Sequence, residues 1–289
     1  MTLTLVKAWT QARDRLKAAG VEGPVIDARL LVEAAGEATR TDIITDPHRE
    51  LTEAQQGVLE DYVQRREKRE PVSHILGRKG FWKIMVGVNR DVLTPRPESE
   101  VIVDLALRAF EEHFHFRVLD LGVGSGAIIL AILAERPGAK GLGIDISEEA
   151  LAVARDNAAH LGLSKRLALL RGDWTAGLSE GEFDLVVSNP PYIASHLIDT
   201  LEPEVAVHEP RLALDGGPDG LDAYRALAPE ILRVLKPSGI FAVEIGYDQK
   251  DAVEALFKAA GALNVVTVKD LSDKHRVVTG IKNPLEMSP

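Results

Sequence analysis

The chain has 289 residues, a formal net charge of −10 and no cysteine. Disulfides, cysteine-ligated zinc and a thiol nucleophile are thereby excluded, and the acidic balance argues against duplex nucleic acid as a partner, because gripping phosphates calls for a basic face. No apolar run approaches the ~20 residues that span a bilayer, and residues 1–9 lack the apolar core of a secretion signal, so a cytoplasmic location is expected.

The length suggests about two domains, and the pattern changes character along the chain. Residues 3–19 carry apolar side chains at helical spacing, Leu5, Ala8, Trp9, Ala12 and Leu16, and the run stops at Gly20. A second stripe, Ile26, Leu30, Leu31 and Val32, predicts a helix over 25–35, and a short third element surrounds Ile43 and Ile44. A fourth helix runs from a Thr52 cap to about Arg69, where Pro71 ends it. The cluster Arg65, Arg66, Lys68 and Arg69 reads either as cations favouring a helix C-terminus or as a patch steering an acidic partner. The β-rich run 80–88 predicts a hairpin. Pro95-Arg96-Pro97 must be extended or turned, and a helix follows over 98–114.

From Phe116 onward strands and helices alternate. Strand 116–121 leads to helix 126–136, and strand 140–145 to helix 147–162, for which Ser147 is a good cap. Strands 167–171 and 183–188 precede a long irregular region. Helix 220–235, strand 239–245, helix 248–260 and a closing pair, 263–269 and 275–282, complete the pattern. Such alternation implies an α/β fold, a parallel sheet wound with helices on both faces. The organisation expected is a helical domain over 1–71, a hairpin linker over 72–96 and the α/β domain over 97–289.

Two strand ends carry chemistry. Strand 183–188 runs into Asn189-Pro190-Pro191-Tyr192. An Asn side-chain oxygen beside a proline carbonyl offers two acceptors for the two hydrogens of a planar NH2 group, and an aromatic ring three residues on can stack on its plane. Holding both hydrogens turns the delocalised lone pair toward an electrophile. The same residues also make an ordinary turn after a strand. Upstream, strand 116–121 runs into Gly122-Val123-Gly124-Ser125-Gly126 and then the apolar face of a helix. Glycines there allow close backbone approach, and a strand-to-helix turn points N–H groups at a ligand. Strand 140–145 ends in Asp145, whose carboxylate can accept both hydroxyls of a ribose. The eight histidines show no metal-ligand spacing, and no metal is expected.

On these motifs the chain resembles the class I S-adenosylmethionine-dependent methyltransferases, and more closely the peptide chain release factor N5-glutamine methyltransferases. The resemblance extends over nearly the whole chain. It includes Pro71 to Gly77, Val92 to Glu100 with its Pro95-Arg96-Pro97-Glu98 block, Glu209 to Leu214, Gly216 to Leu221, Glu244 to Gln249 and Asp270 to Arg276. His74 stands where the family often has Tyr, and Thr94 where it often has Ile, which bears on fine specificity more than on the reaction.

The resemblance implies a Rossmann-like methyltransferase sheet, S-adenosyl-L-methionine as cofactor, and a substrate-binding role for the N-terminal helical domain. It places Gly122, Val123, Gly124, Ser125 and Gly126 along the cofactor's amino-acid and ribose parts, Asp145 on the ribose and Asn189 beside it. Trp174 would offer a ring face to the adenine, or is simply a core aromatic. Asp120, an acid inside an apolar strand, would face the methionine end or take a backbone N–H. Asn189, Pro190 and Tyr192 would be catalytic, and Asn189, Pro190, Pro191 and Tyr192 would bind the substrate. Glu209 reads equally as a substrate-loop residue or a surface acid. The implied reaction is methylation of the glutamine of the Gly-Gly-Gln motif in class 1 release factors; a monomer is expected. The same acceptors leave open a glutamine methyltransferase acting on a ribosomal protein and an N6-adenine DNA methyltransferase. The DNA enzyme would need a basic surface that is not evident. A cofactor-binding scaffold without activity is the non-enzymatic reading.

Overall fold

The computed structural model describes residues 3–284. The chain divides into two compact units. One holds the chain through Arg78 together with Glu202–His208; the other holds Lys79–Leu201 and the chain from Glu209 on.

The first unit is helical: α1 (Leu5–Ala18), α2 (Pro24–Ala35), α3 (Arg40–Thr45), α4 (Glu53–Glu67) and α5 (Val72–Leu76). Apolar side chains at helical spacing, Leu5, Ala8, Ala12 and Leu16, are buried along α1, and they meet Ala28, Leu31 and Val32 of α2 in one core. Each Leu buried in this way contributes roughly 1.5–3 kcal/mol. Thr39 and Thr52 start α3 and α4 with reciprocal caps, to Asp42 and Gln55 respectively.

The three arginines of the basic cluster are paired inside this unit. Arg65 bonds Glu70, Arg66 is buried against Asp27 and Glu204, and Arg69 donates to Glu204. Glu204 lies on a single helical turn from the returning segment, α9 (Pro203–Ala206). These arginines therefore hold that segment to α4 rather than standing as a free basic patch. Breaking such a pair would leave a buried charge uncompensated.

The second unit opens with a hairpin, β1 (Arg78–Phe81) and β2 (Ile84–Gly87), followed by a 3-10 turn at Pro97–Ser99 and α6 (Glu100–Ala109). Phe81, Val86, Val88 and Val92 are buried in this unit's core, so residues 79–96 pack as part of it. The alternating region runs β3 (Arg117–Leu121), α7 (Ala127–Glu135), β4 (Lys140–Asp145), α8 (Glu148–His160), β5 (Leu167–Arg171) and β6 (Phe183–Ser188). After α9 (Pro203–Ala206) come α10 (Asp222–Val234), β7 (Leu235–Glu244), α11 (Lys250–Ala259), β8 (Leu263–Lys269) and β9 (His275–Ile281). Two boundaries differ from expectation by four residues or more. α6 stops at Ala109, five residues short of the predicted end, and β7 starts at Leu235, because its first residue pairs with Phe183 of β6.

The sheet order is β5-β4-β3-β6-β7-β9-β8. It is parallel from β5 to β7, with β9 and β8 joined by antiparallel pairing. Successive side chains of a strand point to opposite faces. Accordingly, Leu185 and Val187 enter the core under α7 and α8, while Val186 enters the one under α10 and α11; Phe183 joins Val186's side because the pairing with β7 is irregular between Phe183 and Leu185. α7 is apolar all round and buried from Ala127 to Leu133, as expected of a helix inside a core. Chain order reverses between β3 and β6, and α/β folds open their ligand crevice at such a switch point, beyond the carboxyl ends of the strands. Among the described residues no helix is long and apolar enough to cross a membrane.

Candidate active site

Strand register fixes what meets at the crevice. Leu121 pairs with Ile144 on one side and with Ser188 on the other, and Ser188 pairs with Val243. The next residues along, Gly122, Asp145, Asn189 and Glu244, therefore leave four strands at one edge. Ser188 Oγ donates to the Leu121 carbonyl at 2.7 Å and locks that row.

Gly122, Gly124 and Gly126 all have positive φ, 75°, 52° and 81°, a backbone that residues with a Cβ rarely adopt. The loop's N–H groups are mostly used internally, contrary to the expectation that they point outward. Gly122 and Val123 donate to the Ile144 carbonyl, Gly126 to Val123, and Gly124 to Asp145 Oδ2 at 2.9 Å. Ser147 N donates to Asp145 Oδ1 at 3.0 Å. Each oxygen of Asp145 thus accepts one backbone N–H and keeps lone-pair capacity for a hydroxyl. The loop's contribution is to bring the chain close to the cavity and to orient Asp145.

A cavity of about 280 Å³ lies over this edge. Of the residues singled out in the sequence, Gly122, Gly124, Asp145, Trp174, Asn189 and Pro191 line it. Val123 and Ser125 are buried behind the loop, where Val123 packs into the core and the Ser125 carbonyl accepts Asn157 Nδ2 at 2.8 Å. Gly126 caps α7. Trp174 holds a left-handed φ of 50°, which costs a non-glycine residue ~1 kcal/mol. Its ring passes within van der Waals reach of Gly122, where a Cβ would lie 3.8 Å from the ring.

The cavity is acidic. Asp91, Asp145 and Asp173 line it, and no lysine or arginine does so among the described residues. Behind Gly122, Asp120 is buried in β3 with Oδ1 unpartnered. Burial pushes its carboxyl well above the ordinary range, opposed by the Ile129 N–H and reinforced by the charge of Asp145. The arrangement fits a ligand that carries positive charge, a pair of hydroxyls and a flat ring.

At the other end, Asn189 lines the cavity and Pro190 is buried beneath it. Two close backbone approaches hold the Pro191-Tyr192 stretch from behind. A Cβ on Gly216 would sit 2.9 Å from the Pro191 carbonyl oxygen, and one on Gly220 would clash with that of Tyr192. Gln249 Nε2 donates to the Tyr192 carbonyl at 3.0 Å. The Gly216 to Gly220 and Gln249 motifs are thus supports for the Asn189 to Tyr192 loop. Tyr192 is half-buried, and desolvation, then the charge of Glu244, holds its phenol above the usual range against Arg276 and Arg96.

Ser99 and Glu244, without a role assigned from sequence, complete this end together with Glu209. Asn189 Nδ2 donates to Ser99 Oγ at 3.2 Å, and Ser99 Oγ donates to Glu244 Oε2 at 2.5 Å. Glu209 is buried, accepts the Thr94 N–H at 3.3 Å and pairs with Arg96 Nη2 at 2.6 Å. Burial raises its carboxyl, and Arg96 opposes that. The bond ties the Asp91–Leu93 side of the cavity to the Pro210–Ala213 side. The signal available in the sequence was an acid ending an apolar strand, Glu244 after Phe241-Ala242-Val243, which demands a partner.

Residues 112–280 match the family described as a methyltransferase domain, and residues 7–77 match the PrmC N-terminal domain. A methyltransferase from Pyrococcus furiosus shares the fold, with a TM-score of 0.52 and 20% identity over 68% of this chain and 88% of that one. The release factor glutamine methyltransferase of Caulobacter vibrioides is 72% identical over 99% of both chains. That of Rhodospirillum rubrum is 48% identical over 91% of this chain and 80% of its own. Likeness of this depth runs through the helical unit as well as the crevice, and the chain belongs to the release factor glutamine methyltransferase family.

Proposed function

We propose that the protein transfers a methyl group from S-adenosyl-L-methionine to the side-chain amide nitrogen of the Gly-Gly-Gln glutamine in class 1 release factors. The observation that carries the reading is Asn189 at the edge of an acidic cavity, with its Nδ2 committed to Ser99 and its Oδ1 left to accept.

The bound cofactor supplies the electrophile, a methyl on a sulfonium sulfur. Asp145 takes the ribose hydroxyls, Trp174 faces the adenine, and the unpartnered Asp120 Oδ1 serves the ammonium of the methionine end. The carboxylates around the cavity favour a cationic ligand over its neutral product.

Asn189 Oδ1 and the Pro190 carbonyl accept the two hydrogens of the substrate amide. That contact favours pyramidal nitrogen and frees its lone pair for in-line attack. The amide proton leaves once the nitrogen carries the methyl and has become acidic, so Asn189 need not act as a base. Tyr192, kept neutral by burial, packs the amide plane. The helical first unit, which carries none of these groups, serves substrate choice.

Incubation with methyl-labelled S-adenosylmethionine and a release factor, followed by peptide mass spectrometry, should place one methyl on the Gly-Gly-Gln glutamine. Label found instead on a ribosomal protein or on DNA adenine would overturn the assignment.

A further inference from the structure

We propose that Ser99 and Glu244 are positioning residues that fix which end of the Asn189 amide faces the substrate. The proposal rests on the methyl-transfer reading. It turns on the fact that an Asn amide can be flipped, exchanging an acceptor for a donor at nearly the same place. Only one orientation serves: an NH2 group aimed at the substrate NH2 would repel it.

The chain of bonds sets that orientation. Glu244 stands at the end of β7, one residue beyond the Ser188 and Val243 pair, and is 1% exposed. As a carboxylate it only accepts, so the single hydroxyl hydrogen of the buried Ser99 must point to it. The Ser99 oxygen is then left as an acceptor, and Asn189 satisfies it by turning Nδ2 inward, which sends Oδ1 to the cavity. Leaving any of these buried groups unpaired would be costly.

Protonating Glu244 removes the constraint. Its new O–H competes to donate to Ser99, whose hydrogen must then turn toward Asn189 and ask for Oδ1. The groups that face Glu244 come from every neighbouring element. They are Arg276 of β9, itself bonded to Asp270, Arg96 and Glu98 ahead of α6, Tyr192 after β6, and Tyr224 of α10, which donates to the Glu244 carbonyl at 2.9 Å. Burial is the largest influence and Ser99, Arg276 and Arg96 oppose it, with the side chain pushed up to about 7. The relay is therefore directional above neutral pH and loses direction below it.

Two arms test this on the full-length protein. The first needs no substrate: the Asn189 side-chain NH2 resonances, assigned by their loss in Asn189→Ala, are followed against pH. They should shift with a midpoint near 7 in the wild type and stay flat in Glu244→Gln. Resonances that ignore pH, or that titrate unchanged in Glu244→Gln, overturn the relay.

The second arm is kinetic. Ser99→Ala should lower kcat by up to ~10²-fold with KM for the release factor and cofactor affinity little changed, and Ser99→Thr, which keeps the hydroxyl, should recover most of the loss. Wild-type kcat should fall below pH 7, and that limb should vanish in Glu244→Gln. Equal rates for Ser99→Ala and wild type, or an acid limb that persists in Glu244→Gln, sink the inference. A wild type that transfers no methyl to glutamine sinks the functional reading instead, while the resonance arm still decides the relay.

Discussion

At the Gly122 to Gly126 end of the crevice the wall is main chain, one loop with three left-handed glycines bonded to Ile144 and to the Asp145 carboxylate on the neighbouring strand. At the Asn189 end the wall is side chains, with Ser99 90 residues from Asn189 and 145 from Glu244. The first end is local in sequence and rigid by backbone geometry. The second exists only when β6, β7 and the turn before α6 are packed together. A backbone-built wall suits a ligand of constant shape. A relay of side chains suits a step in which a proton-bearing group must be presented in one orientation.

The largest effect should come from breaking the side-chain end. Asn189→Ala should cut methyl transfer by at least ~10²-fold, the scale of losing one oriented polar group at a reacting centre. Calorimetric affinity for S-adenosylmethionine should be largely kept. Activity within a few-fold of wild type would remove Asn189 from the chemistry.

Glu244 should next separate the two ends through stability. Its side chain is raised from 4.5 to about 7 when folded. A raised acid stabilises the fold in its protonated form. That contribution is complete below about pH 4.5 and lost as pH rises to about 7. Glu244→Gln should flatten this slope and leave the variant more stable than wild type above pH 7, by up to roughly 3 kcal/mol. Urea titrations across pH 4–8 would read it, and parallel curves for both proteins would show that Glu244 titrates normally.

The backbone-built end should respond in binding. Asp145→Ala should weaken S-adenosylmethionine affinity by roughly 1.5–3 kcal/mol, the cost of charged acceptors lost to two hydroxyls. An unchanged dissociation constant by calorimetry would refute the ribose role.

Gly124→Ala is the smallest and sharpest probe. A Cβ at Gly124 meets nothing within 4 Å, so the only cost is the left-handed backbone, about 1 kcal/mol. Chemical denaturation that registers no loss would mean that this loop relaxes freely.

Much of the fold is legible in the sequence. The alternation of strands and helices after Phe116 gave the sheet and its two covered faces, because period-2 and period-3.6 burial leave different marks. Asn189, Asp145 and the glycine loop were readable because each motif is contiguous and sits at a strand end. The caps at Thr52 and Ser147 are equally local, and both are found.

What sequence order alone left open is whatever depends on register and packing. Glu209 read equally as a surface acid, yet it is buried against Arg96 and Thr94. Arg66 and Arg69 read as part of a candidate patch, yet Asp27 and Glu204 neutralise them. Ser99 and Glu244 lay inside recognisable blocks without a role, because a hydrogen bond between residues 145 apart leaves no spacing to read. Local patterns follow from the chain's own periodicity and backbone limits. The bonds that orient the Asn189 amide form only when the parallel pairing of β6 with β7 brings Asn189 and Glu244 to one row. So the sequence by itself determined the elements and the Asn-Pro-Pro-Tyr motif, and tertiary structure decided which buried groups bond to its Asn189 amide.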